Sequence, residues 1–449
     1  MTQHAPEPRL SLFRLSWPMF IEELTGGITS FADIFFISMI STEAAASVGM
    51  LSPVLFLGYF ILPQFTSAGT SVAAQYMGAK RDESVVPAWA ANILISTSIG
   101  LVLALGLFAA SHAVGLALGM TQIQNAYASQ YLSVIVFNFI LVGIRFSYCS
   151  ILASKGLTRW NMVASIVTNV VNIPLNWALM TGFWIFPELG ISGVALATVI
   201  SYFIGFAIVF YLVHFRLKVN FLVKGLMARI KEVILPILKI GIPSALEPFS
   251  YTVQNLIVSV IIIKLGTVAM AANTFANKFL FLDMATSWSL TMGGQILISH
   301  YLGAGRIDDV KKCWNQIAAT ISLCAFAIIL VIVIFNRQFL SLFTTDPEII
   351  GVTFWLLLIM LAMEPIRSIN ILGGIVLKTV GDGKFSVILS LVFMWGLVPV
   401  IILSSVVGFG IVGVWACLLL DETIRACVNL WRWKSNRWVG KIVINKAKD

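Results

Sequence analysis

Apolar residues run along this chain in long, nearly unbroken stretches separated by short polar, glycine-rich turns. The runs show neither the alternation of half-buried strands nor the half-polar stripe of a surface helix. Twelve stretches stand out, near 16–40, 50–76, 88–110, 128–153, 161–182, 190–214, 236–263, 274–299, 313–335, 351–377, 385–405 and 410–430. Each reaches the roughly 20 residues that carry a helix across a bilayer. In lipid only helices and closed barrels satisfy their backbone, and runs this continuous exclude barrel strands of alternating polarity. The pattern therefore predicts an all-α polytopic membrane protein with about 12 transmembrane helices.

Composition sharpens this reading. Of 449 residues, 59% are hydrophobic and 11% charged, where a soluble domain carries about 25% charge. Soluble enzymes and nucleic-acid binders are poor readings of such a chain. A net charge of +9 would otherwise suggest a polyanionic partner, but its distribution follows topology. With the N-terminus inside, 24 of the 29 basic residues fall on one side: Arg9, Arg14, Lys80, Arg81, Lys155 and Arg159, six from Arg216 to Lys239, then Arg306, Lys311, Lys312, Lys378, Lys384, and seven from Arg425 to Lys448. The opposite loops hold Lys264 and Arg337, while Arg145, Lys278 and Arg367 lie within spans. The positive-inside rule then places both termini in the cytoplasm, with lipid and not nucleic acid as the surrounding partner.

The first apolar run contains Glu22, Glu23 and Asp33, so it does not read as a cleavable signal. Five dispersed cysteines (149, 313, 324, 417, 427) read as packing residues and not as a disulfide or metal set. Histidines 4, 112, 214 and 300 show no ligand spacing, and no phosphate-binding G-x-x-x-x-G-K-[ST] loop occurs. No cofactor is expected.

The chain also repeats. A shift of 225 residues lays Trp17–Arg81 on Ile242–Arg306 without a gap and with about 15 identities. Among them are Pro18 with Pro243, Glu22 with Glu247, and most of QYMGAKR (75–81) with HYLGAGR (300–306). Gly156 pairs with Gly381 and Pro174 with Pro399; after a shorter outer loop, GISGV (190–194) meets GIVGV (410–414). Six spans per copy predict an N-lobe at 1–214, a basic cytoplasmic connector at 215–235, and a C-lobe at 236–449 with a basic tail. An even span number puts both copies in the same direction, which implies a pseudo-two-fold axis along the membrane normal and a central cleft suited to alternating access.

Polar residues at bilayer depth are costly and so mark candidate function. Glu22, Thr29 and Asp33 share one stripe of span 1; Glu247, Tyr251 and Gln254 do so in span 7. Span 10 carries Glu364 and Arg367, span 8 carries Asn273, Asn277, Lys278 and Asp283, and span 2 carries Gln64, Ser67 and Ser71. Span 5 has Asn169, Asn172 and Asn176 around Pro174. Plainer readings stand beside these. Glu364 and Arg367 can neutralise each other, the asparagines can tie helices together, and Glu22 and Glu23 can sit at the inner interface. Lys278 reads as a counter-ion to a nearby carboxylate. Asp33, Glu247 and Asp283 have no basic neighbour within one turn. Pro53, Pro63, Pro174, Pro248, Pro365 and Pro399 interrupt spans, as is tolerated where helices line a cavity.

These features resemble the multidrug and toxic compound extrusion (MATE) family over nearly the whole chain. The resemblance rests on GTSVAAQYMGAKR (69–81) and GQILISHYLGAGR (294–306), on LKTVGDGKFS (377–386), and on the opening WPMFIEELTGGITSFADIFFISMIS (17–41). It implies a monomeric, non-enzymatic antiporter of the plasma (inner) membrane that exports amphipathic cationic drugs and toxins in exchange for H⁺ or Na⁺. It further implies cation-binding carboxylates at Asp33 in the N-lobe or at Glu247 and Glu364 in the C-lobe, the latter a candidate Na⁺ site. Tyr251, Gln254, Asn172, Asn176, Lys278 and Asp283 complete the candidate cation- and substrate-binding set. Where some members have Asn and Asp four apart in span 5, this chain has Asn172 and Asn176, so a two-carboxylate N-lobe site lacks its second acid. Two alternatives are a lipid-linked saccharide flippase of the same superfamily, which would want a more cationic cleft, and an intramembrane enzyme, which would want a His/Asp or Ser/Lys constellation in the spans.

Overall fold

In a computed structural model of the protein, residues 10–222, 225–341 and 343–442 are described. His4 and four of the basic residues counted above (Arg9, Lys224, Lys446 and Lys448) lie outside the described residues. Among the described residues there is no strand, and nearly all belong to helices. The chain divides into two compact units, Met1–Gly241 and Ile242–Asp449.

The N-terminal unit contains α1 (Leu12–Ile40), α2 (Thr42–Gly78), α3 (Asp82–Ala109), the short α4 (Ser111–Ala117), α5 (Gln122–Ile135), α6 (Asn138–Ser154), α7 (Thr158–Thr181) and α8 (Gly190–Tyr211). Helix α9 (Leu226–Lys264) runs through the boundary, so the end of the expected connector forms its first turns. The C-terminal unit continues with α10 (Thr267–Gly303), α11 (Ile307–Ile334), the short α12 (Asn336–Ser341), α13 (Pro347–Thr379), α14 (Gly383–Val406) and α15 (Gly410–Lys434).

The sequence repeat reappears in element lengths. Helices α2 and α10 have 37 residues each, α3 and α11 have 28 each, and α7 and α14 have 24 each. The expected span 4 is interrupted between α5 and α6, whereas α13, its counterpart, is one helix of 33 residues carrying Pro365 inside it.

Among the described residues, ten helical segments are long and apolar enough to cross a membrane, with α5–α6 counted as one. Helices α10 and α15 fill the places of the other two expected spans and have the length, but polar and charged residues dilute them, Asp283 in α10 and Asp421, Glu422 and Arg425 in α15. The result is a twelve-helix layout, six long helices to a unit. Burial runs opposite to that of a soluble bundle. On α3 the exposed residues include Leu101, Val102, Leu105 and Phe108, while Asn92 and Ser96 are buried. On α14 Ile388, Val392 and Leu403 are exposed, while Ser386 and Ser390 face inward. Apolar surface is left for lipid, and polar groups find partners within the bundle.

Small residues permit that inward packing. Gly100 of α3 lies on the backbone of Phe139 and Gly143 of α6 on that of Ser96, so a Cβ at either would strike the neighbouring helix. Each unit also has its own apolar core, around Leu51, Leu132 and Phe139 in the first and around Ala272, Leu356 and Met360 in the second.

The repeated Gly-Ala-basic segments form the same turn. Arg81 N–H donates to Tyr76 O at 3.0 Å and Arg306 N–H to Tyr301 O at 2.9 Å, closing α2 and α10 with one left-handed residue. That residue is Lys80 (φ 56°) in the first copy and Gly305 (φ 70°) in the second. A side chain in this conformation costs about 1 kcal/mol. Gly305→Ala should therefore lower the melting temperature of the detergent-solubilised protein, whereas Lys80→Gly should leave it unchanged or raise it. Equal losses from both substitutions would contradict the shared turn.

Candidate functional site

Three groups of buried polar residues are built on these helices. In the N-terminal unit, α7 presents Asn172 and Asn176 one turn apart on its inner face, beside Asp33 of α1 and Thr198 of α8. Asn176 Nδ2 donates to Asp33 Oδ1 at 2.6 Å and to Asn172 Oδ1 at 3.0 Å. Asn172 Nδ2 donates to Thr198 Oγ1 at 3.3 Å, and Thr198 Oγ1 donates to Asp33 Oδ2 at 3.4 Å. Both carboxylate oxygens are thus held by neutral donors. Tyr59, Tyr131 and Tyr202 are close enough to feel the charge of Asp33, and Tyr59 is fixed by Asn138 Nδ2 at 3.0 Å. The asparagines do tie helices together, and the residue they tie is the acid.

The second group shows how the repeat diverged. Ser165 lies near Glu22, and Glu247 accepts from Ser390 Oγ at 2.7 Å. Both pairs are related by the same 225-residue shift. The cations differ. Lys378 Nζ of α13 reaches Glu247 Oε2 at 2.6 Å, whereas Glu22 lies in the field of Arg145 from α6. Arg145 is 2% exposed, and its guanidinium sits 4.9 Å from the Tyr202 ring centre. It lies against Gly205, where a Cβ would approach Nε to 3.0 Å. Gly205 occupies the place of Arg425 in the second copy, by the same 220-residue offset that relates GISGV to GIVGV.

The third group fills the middle of the C-terminal unit. Arg367 Nη1 donates to Glu364 Oε1 at 2.7 Å and Nε to Glu422 Oε1 at 3.2 Å. Arg425 Nη2 binds Asp421 Oδ2 at 2.5 Å and Glu422 Oε1 at 2.9 Å. Asn370 Nδ2 donates to Glu422 Oε2 at 2.8 Å, and Asn429 Nδ2 to Asn370 Oδ1 at 2.8 Å. Asp283 of α10 is buried in the same region, close enough to feel the charge of Arg367. Together with Glu247 and Lys378, these groups set five carboxyls against three basic side chains.

The sequence-predicted residues separate accordingly. Asp33, Asn172 and Asn176 come together, and Asp283 and Glu364 both lie near Arg367. Glu247 and Glu364 do not share one site. The partner of Glu247, Lys378, sits fourteen residues beyond Glu364 on α13, about 21 Å of helix rise, and each acid has its own base. Gln254 Nε2 donates to Met394 O at 2.9 Å and so joins α9 to α14. Tyr251 faces Arg367 closely enough to feel its charge. Lys278 lies on the exposed side of α10, five residues from Asp283 and therefore on a different face.

Several partners escaped the sequence reading. Lys378, Arg425 and Arg432, counted with the cytoplasmic loops and tail, are buried and paired, Arg432 with Asp382 at 2.6 Å. Thr198 and Ser390 carry no charge to attract notice. Asp421, Glu422 and Arg425, at i, i+1 and i+4 within a span, were the available signal.

Comparison with known proteins follows the same repeat. The family model MatE matches residues 18–178 and 243–403. An uncharacterized transporter, YisQ, of Bacillus subtilis is 29% identical over 96% of this chain and 95% of its own length. A probable multidrug resistance protein, NorM, of Thermotoga maritima is 23% identical over 99% and 96%. The fold is that of a multidrug resistance MATE family transporter of the MOP superfamily solved in an outward-facing conformation, with a TM-score of 0.84 at 20% identity over 96% of this chain and 95% of that one.

The Glu247–Lys378 pair makes a stability prediction. Removing one partner of a buried ion pair strands the other and costs about 3 kcal/mol. Lys378→Met should therefore lower the melting temperature in detergent, and adding Glu247→Gln should restore most of the loss. A double variant no more stable than the single one would show that the pair is not coupled.

Proposed function

Because the chain belongs to the MatE family of multidrug and toxic compound extrusion transporters, we propose that it is a secondary active exporter of amphipathic organic cations. Export is coupled to entry of H⁺ or Na⁺ by alternating access, in a plasma (inner) membrane with both termini cytoplasmic and the chain acting as a monomer. The observation that carries this reading is the bed of Asp33. Its carboxylate is held at both oxygens by neutral donors, Asn176 and Thr198, so its charge is solvated without being cancelled. A cation, whether coupling ion or substrate, can supply the missing charge.

Competition for that one charge makes transport an exchange. When the coupling ion occupies Asp33, the organic cation is released; when the ion leaves, the carboxylate is ready for the next substrate. One cation entering for one leaving moves no net charge, so the inward concentration gradient of the coupling ion drives the cycle, at about 1.4 kcal/mol per tenfold ratio. Asn176 and Thr198 hold the carboxylate in place through both halves of the cycle, and the tyrosines around it offer aromatic faces for a cationic, amphipathic guest. The transporter names of the relatives favour this over an enzyme. The flippase alternative is not favoured, since the acids Glu247, Asp283, Glu364, Asp421 and Glu422 outnumber Arg367, Lys378 and Arg425 among them and would repel a pyrophosphate.

Asp33→Asn keeps an acceptor for Asn176 while removing the charge. In proteoliposomes loaded with a fluorescent organic cation, it should reduce gradient-driven export at least tenfold with the protein still folded. Na⁺ and pH gradients imposed separately would identify the coupling ion, and undiminished export by the variant would overturn the assignment.

A further inference from the structure

We propose that the cytoplasmic end of α15 forms a binding surface for the headgroup of an anionic phospholipid, built from Trp431, Lys434 and Arg437. This rests on the cytoplasmic placement of the C-terminus given above, which sets that end of α15 against a leaflet whose negative surface attracts basic side chains.

The surface follows from the face that α15 leaves uncovered. Along the helix the exposed residues are Val412, Ala416, Leu420, Cys427, Trp431 and Lys434. They recur three, four or seven residues apart and so lie on one stripe. The stripe carries no charge until Lys434. Such a face suits acyl chains, and a Trp at its end suits the headgroup level, where an amphipathic ring is wetted on one side. Trp431 is 52% exposed, a large aromatic that the bundle does not cover.

Beyond the helix the chain turns back on itself. Ser435 N–H donates to Trp431 O at 2.9 Å, and Asn436 N–H donates to Trp433 O at 3.2 Å. Asn436 is left-handed (φ 56°), a conformation that asparagine tolerates well at a helix end. The reversal sends two neighbouring residues to opposite sides. Trp438 goes inward: it is 0% exposed, its ring stacks on Trp433 at 4.5 Å between centres, and its Nε1 donates to Trp433 O at 3.0 Å. Trp433 stacks in turn on Trp314 of α11 at 5.3 Å. Arg437 goes outward, and its guanidinium lies 5.5 Å from the centre of the Trp431 ring. The buried indole thus fixes the position of the exposed cation.

The charges around this turn are sorted. Asp382 accepts from Arg432 Nε at 2.6 Å and from Lys441 Nζ at 2.5 Å, so that acid is neutralised within the tail. Lys434 and Arg437 are exposed and carry no ion pair among the described residues. Two unpaired cations beside an indole, at the end of a lipid-facing stripe, match a phosphodiester. The phosphate accepts from the guanidinium and the ammonium, and the acyl chains run along Leu420 and Ala416. A zwitterionic headgroup brings its own cation, which Lys434 and Arg437 repel, so the surface selects a lipid of net negative charge.

Native mass spectrometry of the purified protein, titrated with phosphatidylglycerol and phosphatidylcholine of equal chain length, measures the preference. The wild type should retain one phosphatidylglycerol at least tenfold more tightly than phosphatidylcholine. Lys434→Gln with Arg437→Gln should bring that ratio close to one. Arg216→Gln with Lys218→Gln, which removes the same charge from the N-terminal unit, should leave it unchanged. A wild type without the preference, or equal losses in both double variants, would overturn the proposal. Delipidated protein that dimerises and shields Cys427 from a maleimide would assign the face to a second copy and overturn it too. A C-terminal tag reached only from outside intact cells would overturn the topology proposed above and move the surface to the other leaflet; the headgroup preference, read in detergent, holds or fails independently of it.

Discussion

Charged side chains withdrawn from water cost several kcal/mol each unless something replaces the lost hydration, and the internal order of this protein follows from how that cost is met. In the C-terminal unit it is met by pairing. Arg367 and Arg425 share Glu422 between them, and Lys378 answers Glu247. Asn370 donates to the other oxygen of Glu422 and in turn accepts from Asn429. In the N-terminal unit Asp33 is solvated by amides and a hydroxyl without being neutralised. The two solutions have different consequences. A paired acid is spoken for, and a solvated one is available to a mobile cation.

Duplication supplied the scaffold on which these solutions diverged. Helix lengths, the Gly-Ala-basic turns and a serine near Glu22 or Glu247 survive in both copies. The charges do not. Glycine at position 205 leaves room for a guanidinium delivered from α6, whereas the second copy supplies Arg425 from α15. At the place of Asp33 the second copy has Val258, and at the place of Asp283 the first has Gly58. Backbone geometry is constrained by packing around small residues, so it persists; a single charge can be moved to another helix if its partner moves too.

The bridge between packing and function is the close approach of helices. Gly100 and Gly143 let α3 and α6 meet backbone to backbone, and a hydrogen bond between Ser287 and Ser368 joins α10 to α13. Rigidity of this kind keeps a buried acid from escaping to water, so that protonation or cation binding becomes the available way to discharge it.

Much of this was legible in the sequence. Long apolar runs specify spanning helices because the bilayer accepts little else, and the 225-residue shift specifies two related six-helix units because equal sequence spacing produces equal helix lengths. Asp33 was conspicuous as an acid in the first apolar run with no basic neighbour within one turn. What the sequence could not reveal was which acids were taken. Spacing along one helix exposes Glu364 with Arg367, but Glu247 meets Lys378 across 131 residues and Asp33 meets Asn176 across 143. Lys378 and Arg425, apparently loop and tail residues, prove to be buried partners. Periodicity describes a helix one at a time, and a buried charge is compensated by whatever neighbouring helices bring to it. The sequence by itself therefore determined the spans, the repeat and the list of candidate carboxylates. Only the tertiary packing decided which of them are paired with a base and which are held by neutral donors, because that choice is made between helices and not along them.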